Sequence, residues 1–399
     1  MSAERELSVQ TIDIGSLLHA NSSTTAADRE AAARAILIAC ETTGLFFATG
    51  HGISSAQRRC AFNNAKHFFS LGEEIKRPIV ASKAGFARGY IGFGQESGSQ
   101  RLECKEGFSY GYPWPESDPP QNMLQGPNVW PEAKQVGPRW RQDMEDLFRS
   151  MVSVSKAVTR GLSLALGLEE GKDFQTLCCS GDTISLMRLF HYLPYDGDGD
   201  DDDDAHHPAP RDIDRAPPGK SSRDVALHEN KVAAHDARST EESPRKTWSS
   251  PHTDWGFSTG ILQDTIGGLQ FLDQRTQRWV DVPASSEDSL VINCGDYLSL
   301  ITKGRLKSPV HQVVSQGREE RMSFVFFYYP SFDAPLPQEG KRDAQESQDP
   351  EAARQDNKSG GEEAQQVDYN TLLDLRRHGD ESVCFGQYLA RKWSGVTRD

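Results

Sequence analysis

The chain has 399 residues, with 58 acidic and 44 basic side chains and a formal net charge of -14. That balance argues against a general nucleic-acid or acidic-membrane surface, and a hydrophobic content of 36% suggests polar segments diluting an ordinary core. Seven cysteines, an odd count without any C-x-x-C, point to reduced thiols in a cytoplasmic protein rather than a zinc finger or a secreted scaffold, and neither a secretory h-region nor a membrane-length apolar run is present.

Val9 to Ile14 alternates as a short strand. Ala26 to Thr42 has helical spacing through Ile36, Leu37 and Cys40. Gly44 to Ala48 reads as a buried strand that ends at Gly50-His51-Gly52. His51 is read as a loop histidine at a strand end, not a ligand. Ser54 or Ser55 caps a helix running to about Ser70, with Phe62, Ala65, Phe68 and Phe69 on its apolar side. Gly85 to Gly111 is rich in glycine and aromatic residues. Pro131 to Leu166 reads as one long scaffold helix with a stripe through Met144, Leu147, Met151, Val154, Val158 and Leu162. Ile184 to Tyr192 is a further strand, in which His191 faces away from Tyr192 and is read as a packed core histidine.

Asp196 to Thr247 breaks this pattern. It opens on an aspartate run and has too few large apolar residues to bury a core, so disorder is expected. The run fails as a calcium loop, since Asp201 and His207 stand where glycine and glutamate are needed. His206-His207 is read as at most an adventitious metal contact. Gln338 to Gln366 is a second segment of the same type. Beyond it, Tyr369 to His378 and Ser382 to Trp393 have helical spacing, and the last helix is expected to pack on the core.

The chemistry sits between the two polar segments. His252 and Asp254 are spaced i, i+2, which brings both to one side of an extended strand with Thr253 turned away. A second histidine from a later strand, His311, supplies a third ligand. Two imidazoles and one carboxylate on one side of a metal leave three positions open, the facial triad of non-haem iron(II) oxygenases. Arg321 and Ser323 repeat the i, i+2 spacing at the head of Met322 to Tyr329, a strand apolar on both faces. A buried arginine requires an anion, and its planar fork suits a carboxylate. The pair reads as a socket for a dicarboxylate whose other end chelates the metal.

These residues resemble the isopenicillin N synthase-like branch of the 2-oxoglutarate- and iron(II)-dependent dioxygenases. The matching pieces are His252-Thr253-Asp254, Gln263-Asp264, Gly267-Gly268-Leu269-Gln270, Trp279, Asn293-Cys294-Gly295-Asp296, Lys307 to His311 and Arg321-Met322-Ser323. Gly44 to Phe47 and His51-Gly52 match upstream, Arg88-Gly89-Tyr90 and Lys105 to Phe108 match segments near the substrate mouth, and Phe385 to Leu389 matches the last helix. The resemblance implies a mainly β fold with flanking helices, built on a double-stranded β-helix (a distorted jelly roll). Its strands are expected at Ser258 to Leu262, Leu269 to Leu272, Trp279 to Val282, Ser289 to Asn293, Leu298 to Ile301, Val310 to Ser315 and Met322 to Tyr329. It also implies that iron(II) is held by His252, Asp254 and His311, and that 2-oxoglutarate and O2 are cosubstrates, with ascorbate as a stimulant. The far carboxylate of 2-oxoglutarate is expected on Arg321, Ser323 and Tyr192. Phe190 departs from the pattern, standing where many plant members have asparagine.

The expected division is 1-130 N-terminal α/β region, 131-195 scaffold helix and first core strand, 196-247 acidic insertion, 248-337 core, 338-366 second insertion and 367-399 C-terminal helices. The implied activity is oxidation of a small organic substrate by hydroxylation, desaturation or ring closure, with release of succinate and CO2. A cytoplasmic monomer without nucleic-acid or membrane partners is expected. Three alternatives stay open: an oxidase of the same family that does not use 2-oxoglutarate, a non-catalytic binding protein on the same fold, and a structural zinc site, which is disfavoured because such sites close four ligands. If the acidic stretches are insertions, replacing Gly197 to Arg245 with a short glycine-serine linker preserves the fold. Limited proteolysis then cuts first within them, and protection of Asp200 to Thr240 in the free protein would contradict this reading.

Overall fold

The computed structural model describes residues 8–18, 24–81, 88–95, 103–115, 117–195, 247–284, 288–336 and 383–394. The acidic insertion after Tyr195, His206-His207, the second insertion at 338–366 and the helix expected at Tyr369 to His378 lie outside the described residues.

Among the described residues the strands are β1 (Thr11–Asp13), β2 (Leu45–Thr49), β3 (Gly89–Ile91), β4 (Lys105–Gly111), β5 (Leu186–Tyr192) and β6 (Thr247–His252), followed by β7 (Ser258–Gln263), β8 (Leu269–Asp273), β9 (Arg278–Asp281), β10 (Leu290–Cys294), β11 (His311–Val314) and β12 (Arg321–Tyr328). One sheet has the order β1-β2-β10-β7-β12-β5-β4-β3, the other β6-β11-β8-β9. Among the described strands β1 and β2 pair in parallel and the other strand pairings are antiparallel. The sheets face each other across a core of Phe47, Tyr192, Trp248, Ile261, Phe271 and Val313, as a jelly roll requires.

Strand alternation divides the large sheet into two chemically different faces. On β12, Phe324, Phe326 and Tyr328 point outward into the larger apolar core, while Arg321, Ser323 and Val325 point into the roll. The outward face is covered by helices Ala26–Thr42, Ser55–Phe69 and Trp140–Ala165. Phe326 meets Phe148 edge-on at 5.1 Å, and Phe324 meets Phe62 at 5.4 Å. Burial of each such ring is worth about 1.5–3 kcal/mol. The first two helices start where capping residues dictate: Thr25 and Asp28 form a reciprocal capping box, and the Ser54 hydroxyl accepts from Gln57 N.

The expected strands occur within two residues of their expected bounds, with one exception, and β3, β4 and β6 are additional. The exception is Leu298 to Ile301, which lies in helix Asp296–Ile301. A short apolar run does not distinguish strand from helix by period. The tertiary structure decides it. Gly295 N donates to Phe257 O (3.0 Å), Asp296 N to Asp254 O (2.7 Å) and Tyr297 N to Gly256 O (3.1 Å). These bonds dock the residues before Leu298 onto the loop after β6, and the chain turns there into a helix in which Ser299 N donates to Gly295 O (3.1 Å) and Thr302 N to Leu298 O (3.2 Å). The approach needs glycine, because a Cβ on Gly295 would lie 2.1 Å from Gly256 O. The long helix expected over Pro131 to Leu166 is also interrupted, giving Ala133–Val136 and Trp140–Ala165. Gly137 has φ 100°, and the following Pro138 has no N–H to continue the ladder.

His191 is the packed histidine expected, on the outward face of β5. Its Nδ1 donates to Glu106 (2.8 Å) and its Nε2 to Glu320 (3.2 Å), so both ring nitrogens carry protons. Tyr90 and Lys76 donate to the same Glu106 carboxylate at 2.6 and 3.0 Å. This cluster fastens β4, β5 and the start of β12 beside Tyr192 and Arg321. Burial by itself disfavours the imidazolium, but Glu106 and then Glu320 outweigh it and raise the pKa above the usual histidine value. A raised folded pKa makes the contribution to stability complete below about pH 6.5, the unfolded value, and lost as pH rises through the folded pKa. His191→Gln is therefore expected to destabilise the protein more at pH 6 than at pH 9, read as the difference in denaturation midpoint from the parent at each pH.

Candidate metal centre

Between the sheets lies a cavity of about 160 Å³. β6 ends at His252, which pairs in register with His311 at the start of β11. Asp254 lies two residues beyond the strand end, in the loop that receives the Gly295–Tyr297 backbone. Strand alternation therefore does not place it, contrary to the i, i+2 expectation. It is placed by Asn293 on β10, whose Nδ2 donates to Asp254 Oδ2 at 2.7 Å. Thr253 is turned away as expected and donates to Asp296 at 2.9 Å.

His252, Asp254 and His311 each direct a donor atom to one point, all within 4.8 Å of one another. Among the described residues no other group of three or more His, Cys, Asp or Glu does so. His252 Nε2 is 4.0 Å from Asp254 Oδ1, and His311 Nε2 is 3.7 Å from Oδ2. His252 Nδ1 donates to Ser250 O (2.7 Å) and His311 Nδ1 to Pro309 O (3.1 Å). A carbonyl only accepts, so Nδ1 holds the proton and the Nε2 lone pair faces the shared point. Enclosure in the pocket, and next the neighbouring His311, push the His252 pKa down to about 4. Neutral imidazole is the form that ligates a metal. The donor set suits a divalent first-row ion with positions left open.

Arg321 lies deeper, 1% exposed. Its Nη2 donates to Gln263 Oε1 (3.0 Å) and its Nη1 to Ser323 Oγ (3.3 Å), while Nε has no partner. No carboxylate among the described residues pairs with it. Tyr192, its register partner on β5, presents its ring 4.8 Å from the guanidinium carbon. The pocket thus brings together His252, Asp254, His311, Arg321, Ser323 and Tyr192. His51 stays outside it, buried, with Nδ1 accepting from Ile53 N at 3.1 Å.

Several residues of the site escaped the sequence reading. Gln263 and Asn293 orient Arg321 and Asp254; both stand in recognised motifs, but nothing local names their partners. Glu103 and Arg188 also line the cavity, and so does Trp393 of the last helix, Phe385–Ser394, whereas Lys105, likewise in the wall, stands in the segment already matched near the substrate mouth. That helix packs through Phe385 on Tyr297 and Tyr329, as expected, and its Trp393 also lines the cavity.

Residues 9–133 match the family model for the non-haem dioxygenase in morphine synthesis N-terminal region, and residues 228–330 match that of the 2OG-Fe(II) oxygenase superfamily. The 2-oxoglutarate-dependent dioxygenase citB of Monascus ruber is 29% identical over 303 residues, covering 74% of this chain and 77% of that protein. A full-length Neurospora crassa protein solved in complex with alpha-KG superposes with a TM-score of 0.61 at 22% identity, covering 82% of this chain and 87% of the other. A 2OG-Fe(II) oxygenase family protein from Caulobacter crescentus gives 0.62 at 21% identity, covering 96% and 97%. At these identities the structural likeness speaks for the fold.

Asn293→Ala removes the bond that aims Asp254 without touching a donor atom. Iron(II) affinity, measured by equilibrium dialysis under nitrogen, is expected to fall by about 10–100-fold, the usual cost of losing a residue that orients a ligand.

Proposed function

The chain belongs to the 2OG-Fe(II) oxygenase superfamily, and on that premise we propose that His252, Asp254 and His311 hold iron(II) while Arg321, Ser323 and Tyr192 hold the far carboxylate of 2-oxoglutarate. The protein is an oxidoreductase, a 2-oxoglutarate-dependent dioxygenase. Bound in this site, iron(II), 2-oxoglutarate and dioxygen supply the chemistry that oxidises a small organic substrate with release of succinate and CO2.

One observation carries the residue assignment. A guanidinium with an unpartnered Nε is buried in the same cavity as the His–Asp–His donors. An isolated buried charge is costly, and a carboxylate is the anion its fork fits. Gln263 and Ser323 hold the guanidinium, and Tyr192 backs it. The two carbonyl-bonded imidazoles keep their lone pairs on the metal side, and Asn293 keeps the Asp254 carboxylate there. The apolar walls, including Ile261, Leu269 and Val325, limit water around the reacting groups.

The Arg321-x-Ser323 pair and the N-terminal match support the isopenicillin N synthase-like branch. The net charge of -14 supports a small-molecule substrate over a polyanion, and no described helix is long and apolar enough to cross a membrane. A cytoplasmic monomer fits these features. The polar composition of 196–247 and 338–366 supports reading them as insertions between working parts of the enzyme.

His252→Ala, Asp254→Ala and His311→Ala are each expected to abolish 2-oxoglutarate-dependent succinate formation, because a three-ligand site has no spare donor. Arg321→Leu is expected to keep iron(II) binding while losing about 2–5 kcal/mol of cosubstrate affinity, the cost of truncating a buried charge pair. That corresponds to roughly 30-fold or more in the 2-oxoglutarate requirement. Loss of iron from Arg321→Leu as complete as from His252→Ala would remove Arg321 from the cosubstrate role.

A further inference from the structure

The strand that delivers His252 is the edge of its sheet. Among the described strands β6 pairs with β11 on one side only. That pairing is irregular just before the ligand. His252 faces His311 and Ser249 faces Val313, so Ser250 and Pro251 together oppose Gln312. This is a β-bulge, a device that bends a strand and re-aims a side chain. Pro251 has no N–H to give to the ladder. The sheet ladder is therefore interrupted at the point where the backbone must aim the His252 ring.

A carboxylate from outside the small sheet closes on that bulge. Glu103, 2% exposed, stands two residues before β4, and its Oε1 accepts from Ser250 N at 2.8 Å. The carbonyl of the same Ser250 takes the Nδ1 proton of His252 at 2.7 Å. One residue thus has its N–H on Glu103 and its C=O on the ligand ring. Lys105, the first residue of β4, forms an ion pair with Glu103 Oε2 and reaches Ser249 Oγ at 3.4 Å. It lies 5.0 Å from the centre of the Phe190 ring and pairs in register with Tyr192. The buried negative charge is compensated on one oxygen, while the other serves Ser250 N. A hydrogen bond to an ionised acceptor is roughly twice as strong as a neutral one.

We propose that Glu103 is a positioning residue for the metal centre: through the Ser250 backbone it fixes the bulge, and with it the tautomer and aim of His252, while Lys105 neutralises its charge. This rests on the reading of His252, Asp254 and His311 as the iron(II) ligands. It gives His252 a counterpart to Asn293, which aims Asp254.

The test uses the full chain loaded with cobalt(II) under nitrogen. In proton NMR the paramagnetic ion moves the Nδ1–H signal of each ligating imidazole far downfield, and the parent protein is expected to show two such exchangeable signals. Fewer than two would overturn the ligand geometry itself, and this inference with it. With both present, two double variants isolate the acceptor, because each removes the ion pair. Glu103→Leu with Lys105→Met replaces the pair by apolar groups, a change that buried ion pairs commonly tolerate. It is expected to lose one signal to exchange with water and to bind cobalt(II) about 10–100-fold more weakly in equilibrium dialysis. Glu103→Gln with Lys105→Met keeps an amide oxygen for Ser250 N and is expected to keep both signals and to bind at least about tenfold tighter than the apolar variant. Two signals and parental affinity in the apolar variant, or equal loss in both, would overturn the positioning role. Glu103→Asp keeps the charge beside Lys105 but withdraws the acceptor by one methylene. It is expected to lose the same signal, and its retention of both signals and parental affinity would overturn the role even where the apolar variant fails to fold.

Discussion

Arg321 is a positive charge placed where water does not reach, without a carboxylate among the described residues to neutralise it. Taking such an ion from water costs several kcal/mol, and only charge-assisted bonds repay it. Gln263 and Ser323 supply neutral acceptors, which hold the guanidinium in place without cancelling its charge. The rest of the core accommodates that constraint. The outward face of β12 is apolar except for the Tyr328 hydroxyl, which donates to Cys178 O, and is packed under helices, while its inward face carries polar groups.

The same division serves the metal donors. Each histidine spends its Nδ1 proton on a backbone carbonyl two residues before it, at Ser250 and Pro309. Local chain geometry therefore sets the tautomer, while pairing of β6 with β11 sets the distance between the rings. Asp254 is positioned differently, through Asn293 and the docked Gly295–Tyr297 backbone. Two of the three donors rest on sheet register and the third on a loop-to-helix contact.

One cavity between the two sheets is lined by Arg321, by the His252, Asp254 and His311 donors and, from the last helix, by Trp393, whose ring lies on Arg188. The helix packing and the pocket wall are the same structure: Phe385 anchors it in the core, and Trp393, two turns on, closes over Arg188. Packing and access to the site are thus coupled through a single element.

The strand and helix periods, the cap at Ser54 or Ser55, and the ordered set from His252 to Ser323 were legible in the chain because each is a local pattern. So was the opposite facing of His191 and Tyr192, which alternation alone requires. The helix at Asp296–Ile301 was not, since a run as short as Leu298-Ser299-Leu300-Ile301 carries no decisive period and the residues before it are docked by a loop about forty residues away. Gly137-Pro138 was visible in the sequence, but the apolar stripe on its C-terminal side masked the break. Asn293 on Asp254, Gln263 on Arg321 and Trp393 on Arg188 have no signature in one dimension. The sequence by itself determined which residue types can ligate a metal or bind an anion, because that follows from side-chain chemistry. Only the tertiary structure decided which of them share a cavity and what orients each, because those contacts join strands, loops and a helix far apart in the chain.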